Sequence, residues 1–436
     1  MARKVFISFL GTGNYVETYY QFGEKKYPHP VRFVQEAIIG NMLDEWTEDD
    51  KILIFATDAA RKANWENDGQ ERAESEIEHI GLKQRLLELH LPMPIDDNSR
   101  IEIKEGFSEE EVWSIFNTVD KEIGTISRQG GDIQLFFDIT HAFRSIPMFA
   151  MALFNYAQYM YSNVKIEQVQ YGAFEKLGPT YKVKQMPLEQ RIAPVVDMTN
   201  IVRLQQLTSA AIGLHDYGRI TGIVNATDGL FTINAFRKAI GSLDEYIQLC
   251  DLKKIKSGNF LANMLGDIKA IRKSKKKVSA PVINLIEKLV NEIEQYGFRA
   301  DEGNHNIDAA IKWAIQYEMF SQAATMAREY ILDRLAIAFA NFNPFSNNKD
   351  FKEFLSSVLS ASNSTDEWKG HLDEFKGIAL KLRENETIKG LSSLYPKLAG
   401  IRNSLNHGKG AYTLGSVREK LPCLYKSCIN ILDKIN

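Results

Sequence analysis

The sequence predicts an α/β, Rossmann-like N-terminal domain built on a mainly parallel sheet, followed by an all-α C-terminal half. Three observations lead there. Across residues 4–185, short β-branched and aromatic runs alternate with helical periodicity, the mark of successive βαβ units. Beyond Pro194 such runs almost vanish, and apolar residues at three- and four-residue spacing continue to the C-terminus. At 436 residues and 44% hydrophobic, the chain is too long for one ordinary core and suits two or three domains.

Taken in order, strands are expected at 5–10, 51–56, 101–104, 133–139 and 164–171, with helices near 31–46, 70–90, 108–128 and 144–161. The run Ile133-Gln134-Leu135-Phe136-Phe137-Asp138-Ile139 is apolar on both faces at its centre, as a strand covered by helices on both sides must be. It is expected to be central. A domain boundary is placed near 185–200, dividing the chain into an α/β domain (1–190), a helical connecting region (191–300) and a helical C-terminal domain (301–436). Within the helical half, the basic run 272–277 and the segment 297–306 read as breaks, the first as a solvated loop, with an RNA or inter-subunit contact as the other reading.

Lys plus Arg number 53 against 56 Asp plus Glu, so a net charge of −3 offers no overall positive field to a long nucleic acid. Any RNA contact must be local. Cys250, Cys423 and Cys428 lack metal-ligand spacing and read as reduced packing residues, in keeping with a cytoplasmic protein. Met1-Ala2-Arg3-Lys4 runs straight into a strand pattern, and no apolar stretch is long enough for a signal or a membrane span.

In an open parallel sheet, ligands bind beyond the carboxyl ends of the strands. Three such ends are unusual here. Gly11-Thr12-Gly13-Asn14-Tyr15 lets the backbone approach an anion, although Val16 stands where a dinucleotide fingerprint needs its third glycine. A plain tight turn is the other reading. Thr57-Asp58-Ala59 ends the second strand. Asp138-Ile139-Thr140-His141-Ala142-Phe143-Arg144-Ser145 gathers a hydroxyl, an imidazole and a guanidinium at the top of the central strand. Arg144 falls in the first turn of the next helix, where the helix dipole disfavours a cation unless an anion offsets it. A bound phosphate would do so; a structural hydrogen bond or salt bridge is the alternative for His141 and Arg144.

Near the C-terminus stands Arg402-Asn403-Ser404-Leu405-Asn406-His407-Gly408. Leu394, Leu398, Ile401 and Leu405 follow one helical stripe and are expected to be buried, whereas Asn403 and His407 are four apart on an outward face. Gly408 is the expected helix terminator. An imidazole can exchange protons with a 2′-hydroxyl or a 5′-oxygen, and Arg can stabilise the extra charge on a five-coordinate phosphate, so the trio suits RNA cleavage with no metal. No His/Asp/Glu grouping with metal spacing accompanies it. The same Arg-to-His spacing recurs at Arg85 and His90, where leucine follows the Arg. Spacing alone leaves a capped helix with a surface histidine as the rival reading.

Together the two halves resemble the CARF–HEPN ribonucleases of type III CRISPR systems. The likeness rests on Phe9-Leu10-Gly11-Thr12-Gly13-Asn14-Tyr15, on Asp138 to Pro147, on Arg402 to His407, and on Gln322-Ala323 and Arg328-Glu329 within 313–329. It implies a CARF domain at 1–190 that binds a cyclic oligoadenylate, most often cyclic tetra-adenylate, as allosteric activator. It implies a HEPN domain at 301–436 that then cuts single-stranded RNA, with Arg402 and His407 as the catalytic pair and Asn403 in support. Gly11, Thr12, Gly13, Asn14, Thr57, Asp58, Thr140, His141 and Arg144 would meet the ring. Members are homodimers, and a symmetric ring suits a self-complementary two-fold interface. Two other readings compete: a nucleotide-sensing regulator that binds a partner or DNA without cutting RNA, and a Rossmann-type metabolic enzyme. A winged-helix segment within 197–300 would favour the regulator.

Overall fold

The computed structural model describes residues 2–67, 80–141, 146–227, 233–273, 279–408 and 410–435, with the side chains of 146–148 excepted. It divides into two compact units, Met1–Gln205 and Gln206–Asn436.

In the first unit the strands are β1 (Arg3–Leu10), β2 (Tyr19–Phe22), β3 (Lys25–Lys26), β4 (Lys51–Ala56), β5 (Arg100–Glu102), β6 (Ile133–Asp138), β7 (Val164–Gly172) and β8 (Ile192–Asp197). The helices are α1 (Val34–Asn41), α2 (Asp58–Ala60), α3 (Leu82–Leu87), α4 (Glu109–Arg128), α5 (Ile146–Met160), α6 (Thr180–Val183) and α7 (Thr199–Tyr217), the last shared with the second unit. One sheet holds all eight strands in the order β3-β2-β8-β7-β6-β1-β4-β5. β5, β4, β1, β6 and β7 are mutually parallel, and β6 is central as expected. Its faces are both covered. Val5, Ile7, Phe9, Leu135 and Phe137 pack under α4 and α5, while Phe6, Leu10, Ile54 and Phe136 pack under α1 and α3.

The structure corrects the strand count. β2, β3 and β8 carry too little pattern to stand out: two are four residues or fewer, and Pro194 interrupts the third. β8 tolerates the proline because it pairs with β7 only through residues 195–197, and the Pro194 carbonyl accepts from Ala173 N. β8 runs antiparallel to β7, so the sheet is mixed. The helix expected over 70–90 is Leu82–Leu87, residues 68–79 lying outside the described part.

A polar chain is sealed inside this unit. Asp138 at the end of β6 accepts from Ser8 Oγ of β1 at 2.7 Å, from Thr140 N at 3.0 Å and from the Thr140 hydroxyl, whose oxygen accepts in turn from Gly172 N of β7 at 2.7 Å. Gln35 of α1 donates to Ser8 Oγ at 3.0 Å and to the Phe9 carbonyl at 3.2 Å. Burial pushes the Asp138 carboxyl above the usual range, and the bonds from Thr140 and Ser8 pull it back. Glu36, also buried, accepts from Phe33 N at 2.9 Å and Arg32 N at 3.1 Å in the first turn of α1.

The second unit continues with α8 (Thr221–Ala226), α9 (Asn234–Gln248), α10 (Leu252–Lys256), α11 (Asn259–Lys273), α12 (Ala280–Gln295), α13 (Asn304–Gln316), α14 (Phe320–Ala338), α15 (Asn348–Ser360), α16 (His371–Glu374), α17 (Lys376–Glu384), α18 (Glu386–Ser392), α19 (Tyr395–His407) and α20 (Leu414–Leu432). No strand occurs among its described residues, so the wing of a winged helix is missing there. α14 is the central helix, packed against α13, α15, α19 and α20; its buried Ala323, Ala324 and Ala327 let neighbours approach closely. Of the basic run, Arg272 pairs with Glu287 of α12 at 2.7 Å, and residues 274–277 lie outside the described part. All three cysteines are free, and Cys428 is buried, but Cys423 is exposed, which corrects its expected packing role.

Two stability predictions follow from these buried groups. Ser8→Ala strips one partner each from Asp138 and Gln35 and should cost about 1–3 kcal/mol in urea unfolding of the α/β unit; an unchanged midpoint would refute the network's role. Burial raises the Glu36 carboxyl to about 7, so its protonated form favours the folded state. That contribution is present below about pH 4.5 and lost as pH rises through 7, at most about 3 kcal/mol. Relative to the wild type, Glu36→Gln should therefore show a flatter stability profile between those pH values.

Candidate functional site

The carboxyl ends of β1 and β6 lie side by side, and the parallel order reverses between them: the chain proceeds from β1 outward to β4 and β5, and from β6 outward to β7. This is the switch point where an open α/β sheet leaves a crevice. A cavity of about 240 Å³ opens there, walled by Gly13, Asn14 and Tyr15 from the loop after β1, by Thr140 and His141 after β6, and by Arg32, Gly172 and Glu175.

The glycine loop is shaped by Tyr15 and Asn64. A Cβ on Gly11 would stand 2.8 Å from the Tyr15 hydroxyl, and one on Gly13 3.0 Å from its ring, so the loop wraps the tyrosine too closely for side chains. Asn64, fully buried on the one-turn π-helical segment Arg61–Trp65, donates from Nδ2 to the carbonyls of Gly11 (2.8 Å) and Gly13 (3.0 Å). This clamp draws both carbonyls to one side.

The His141 ring lies 4.2 Å from the Tyr15 ring, and its Nε2 is enclosed with no hydrogen-bond partner among the described residues. Burial pulls the imidazole down to about 4, so at neutral pH it is an uncharged hydrogen-bonding group. A cavity-lining residue whose ring nitrogen has no partner among the described residues suits a ligand that supplies one. Thr140 is committed to Asp138 and Gly172, as described above. Thr12 is exposed at the loop tip. The structure does not bring Thr57 and Asp58 into the crevice wall: Thr57 is buried and caps α2 by accepting from Ala60 N at 3.1 Å, and the exposed Asp58 pairs with Lys62 and Arg61, which together lower its pKa. Arg144 lies outside the described residues. Sequence reasoning missed Tyr15's enclosing role, Arg32, Asn64 and Glu175. Arg32 and Asn64 stand at no strand end, Glu175 follows the end of β7, and only the assembled sheet brings them near the loop after β1.

The second candidate site is the end of α19. Tyr395, Leu398, Ile401 and Ser404 are buried, while Leu394 and Leu405 are half-buried, so the inward stripe is rotated slightly from the one expected. Asn403 and His407 are exposed, and Arg402 is half-buried, donating to Asn403 Oδ1 at 3.2 Å while its Nε is enclosed with no partner among the described residues. Gly408 ends the helix in the left-handed conformation (φ 62°), its N–H donating to the Ser404 carbonyl. Ser404 Oγ accepts from Ala411 N at 3.2 Å, and Asn406 donates to Thr325 Oγ1 of α14 at 3.4 Å. The polar trio thus sits on a terminus fixed from both sides. At the other end of α19, Tyr395 bonds Ser356 at 2.8 Å, and Ser356 meets Arg328 of the Arg328–Glu329 ion pair. The repeat of the spacing at Arg85 and His90 shares none of this, because His90 lies beyond the end of α3 and Arg85 pairs with Glu17 at 3.7 Å and Glu88 at 3.9 Å.

Among the described residues, no group of three or more His, Cys, Asp or Glu side chains could hold a metal ion, and no helix is long and apolar enough to cross a membrane. Residues 5–175 match the family model of the CARF domain of the CRISPR system endoribonuclease Csx1. Over 343 residues the chain is 22% identical to the CRISPR-associated protein MJ1674 of Methanocaldococcus jannaschii, an alignment covering 70% of this chain and 51% of that protein. The chain therefore spans about half the length of the curated relative it matches. The residues Gly13 to Glu175 that frame the switch-point crevice are thus among those that match a CARF domain, and the two likenesses together support a CARF-containing CRISPR-associated protein.

Proposed function

We propose that the protein is a metal-independent endoribonuclease of type III CRISPR defence. It cuts single-stranded RNA in the cytoplasm when a cyclic oligoadenylate, cyclic tetra-adenylate foremost, occupies the CARF crevice. The observation that carries this reading is the exposed pair Asn403 and His407 beside the half-buried Arg402, held on a capped helix end in the chain that also bears a CARF-like region. In the HEPN reading of 301–436, the 2′-oxygen attacks the adjacent phosphorus as the bond to the 5′-oxygen breaks. One proton leaves the 2′-hydroxyl and another reaches the 5′-oxygen. His407 serves one transfer, and Arg402, oriented by Asn403, neutralises the five-coordinate phosphate. A single copy leaves the other transfer unfilled, which a homodimer with two facing copies supplies.

The crevice supports the same arrangement. At about 240 Å³ it is smaller than the ~300–1,000 Å³ usual for a complete small ligand, so one protomer takes part of a ring and two share the whole. His141, being neutral, contacts the ring by hydrogen bonding. Gly11 to Asn14, Thr140 and Arg144 complete the proposed contacts, with Arg32 added from the crevice wall.

The test is cleavage of a fluorescent single-stranded RNA in EDTA, with and without cyclic tetra- and hexa-adenylate. Ring-dependent cutting that falls at least ~100-fold in His407→Ala, with ring affinity intact, is expected. Ring binding without any cutting would replace this reading with the regulator. Separately, Asn64→Ala should weaken ring binding about 10-fold by calorimetry, since two hydrogen bonds that shape the glycine loop are lost; unchanged affinity would show that the clamp is not needed.

A further inference from the structure

The largest cavity described lies in the helical unit, about 1070 Å³, and plays no part in the sites above. Its wall comes from the end of α7, the turn 218–222, α9 and the α13–α14 corner. Tyr217 and Arg219 flank Gly218, which adopts φ 64° and is packed so tightly by Tyr317 that a Cβ would lie 2.3 Å from that ring. Tyr317 is anchored by Tyr296 Oη at 2.9 Å and the His215 carbonyl at 3.2 Å. On the opposite wall, Glu318 holds a left-handed conformation (φ 57°) that a non-glycine residue rarely adopts, and Arg418 grips its carboxylate with two bonds of 2.6 and 2.8 Å. Both turns are thus fixed in place.

What they present is an exposed aromatic ring and a cation. Tyr217 is 65% exposed although it lines a cavity. Arg219 is exposed and forms no ion pair among the described residues. Of the three carboxylates in the wall, Glu318 is neutralised by Arg418, Asp244 accepts from the Thr221 hydroxyl at 2.8 Å, and Asp216 is exposed near the end of α7, three residues from Arg219. Asn225 and Gln248 add amide donors and acceptors.

Hydrogen bonds of α14 link one wall residue of the cavity and the end of α19. Gln248 accepts from Gln322 of α14 at 3.5 Å, and Thr325, one turn further along the same face, accepts from Asn406, the neighbour of His407. From Phe320, where α14 begins, to Thr325 is five residues, roughly 7–8 Å along the helix, a span that a few nucleotides of single strand can bridge.

We propose that this cavity is a substrate subsite, in which a base of the RNA strand flanking the cut stacks on Tyr217 and its phosphate meets Arg219. Aromatic stacking with an adjacent cation is the general means of holding single-stranded nucleic acid, and amides read the base edge. The inference rests on the ribonuclease reading for its substrate, and it assigns strand binding to residues outside the Arg402-to-His407 site.

The test is fluorescence anisotropy of a single-stranded RNA 12-mer with the full-length His407→Ala protein, with Tyr217→Ala, Tyr217→Phe or Arg219→Ala added. Tyr217→Ala and Arg219→Ala should each weaken binding about 10-fold, Tyr217→Phe should retain it, and Arg219→Ala should lower the salt dependence by about one phosphate contact. In the otherwise native chain the same changes should raise KM with little effect on kcat, and ring affinity should stay constant. Equal RNA affinity in all variants overturns the subsite, as does an RNA affinity too weak to measure in the parent. If the native chain cuts nothing while Tyr217-dependent RNA binding persists, the ribonuclease reading fails and the subsite stands.

Discussion

The buried Asp138 carboxylate is the constraint on which the first unit depends. A charge-bearing group in a dry interior must be fully bonded, and here its partners come from β1 through Ser8 and from the turn after β6, with β7 joined through Thr140. Satisfying one carboxylate therefore fixes three neighbouring strand ends. Gln35 extends the chain to α1, so a helix on one face of the sheet is tied to the same point. The cost of breaking the links at Asp138, Ser8 and Gln35 is high because all three are buried.

On that platform the crevice has a division of labour. Asn64 and Tyr15 shape the glycine loop and are themselves buried or half-buried, while His141 has one enclosed ring nitrogen with no partner among the described residues. The imidazole's low proton affinity follows from its burial. A neutral donor or acceptor of this kind discriminates by geometry, because leaving it unpaired in a bound complex carries a penalty. Charge enters from Arg32 at the crevice wall, with Glu175 beside it.

The helical unit solves a different problem, the presentation of polar groups outward from a rigid support. α14 supplies the support, its alanines admitting four neighbouring helices, and α19 is held against it by buried Tyr395, Leu398 and Ile401. Gly408 then stops the helix directly after His407, so the imidazole stands at a fixed terminus. The strained corner at Glu318 is held by Arg418, whose helix begins shortly after the loop that follows α19.

The sequence by itself determined the α/β-then-helical order, the central apolar strand at 133–138, the glycine and Thr140–His141 strand ends, and the helix terminator at Gly408. Each is a local signal: periodicity reports which face is buried, and glycine or proline reports a backbone need. The tertiary structure alone decided the rest. β2 and β8 are strands because neighbours complete their ladders, despite short length and Pro194. Thr57 turned inward as a cap, and Asn64 became part of the crevice only because β4 lies beside β1. Tyr217 and Gln316 share a cavity only because α7 and α13 fold together. Such meetings join residues tens to hundreds of positions apart, and no pattern along a chain records which distant groups will complete one another's bonds.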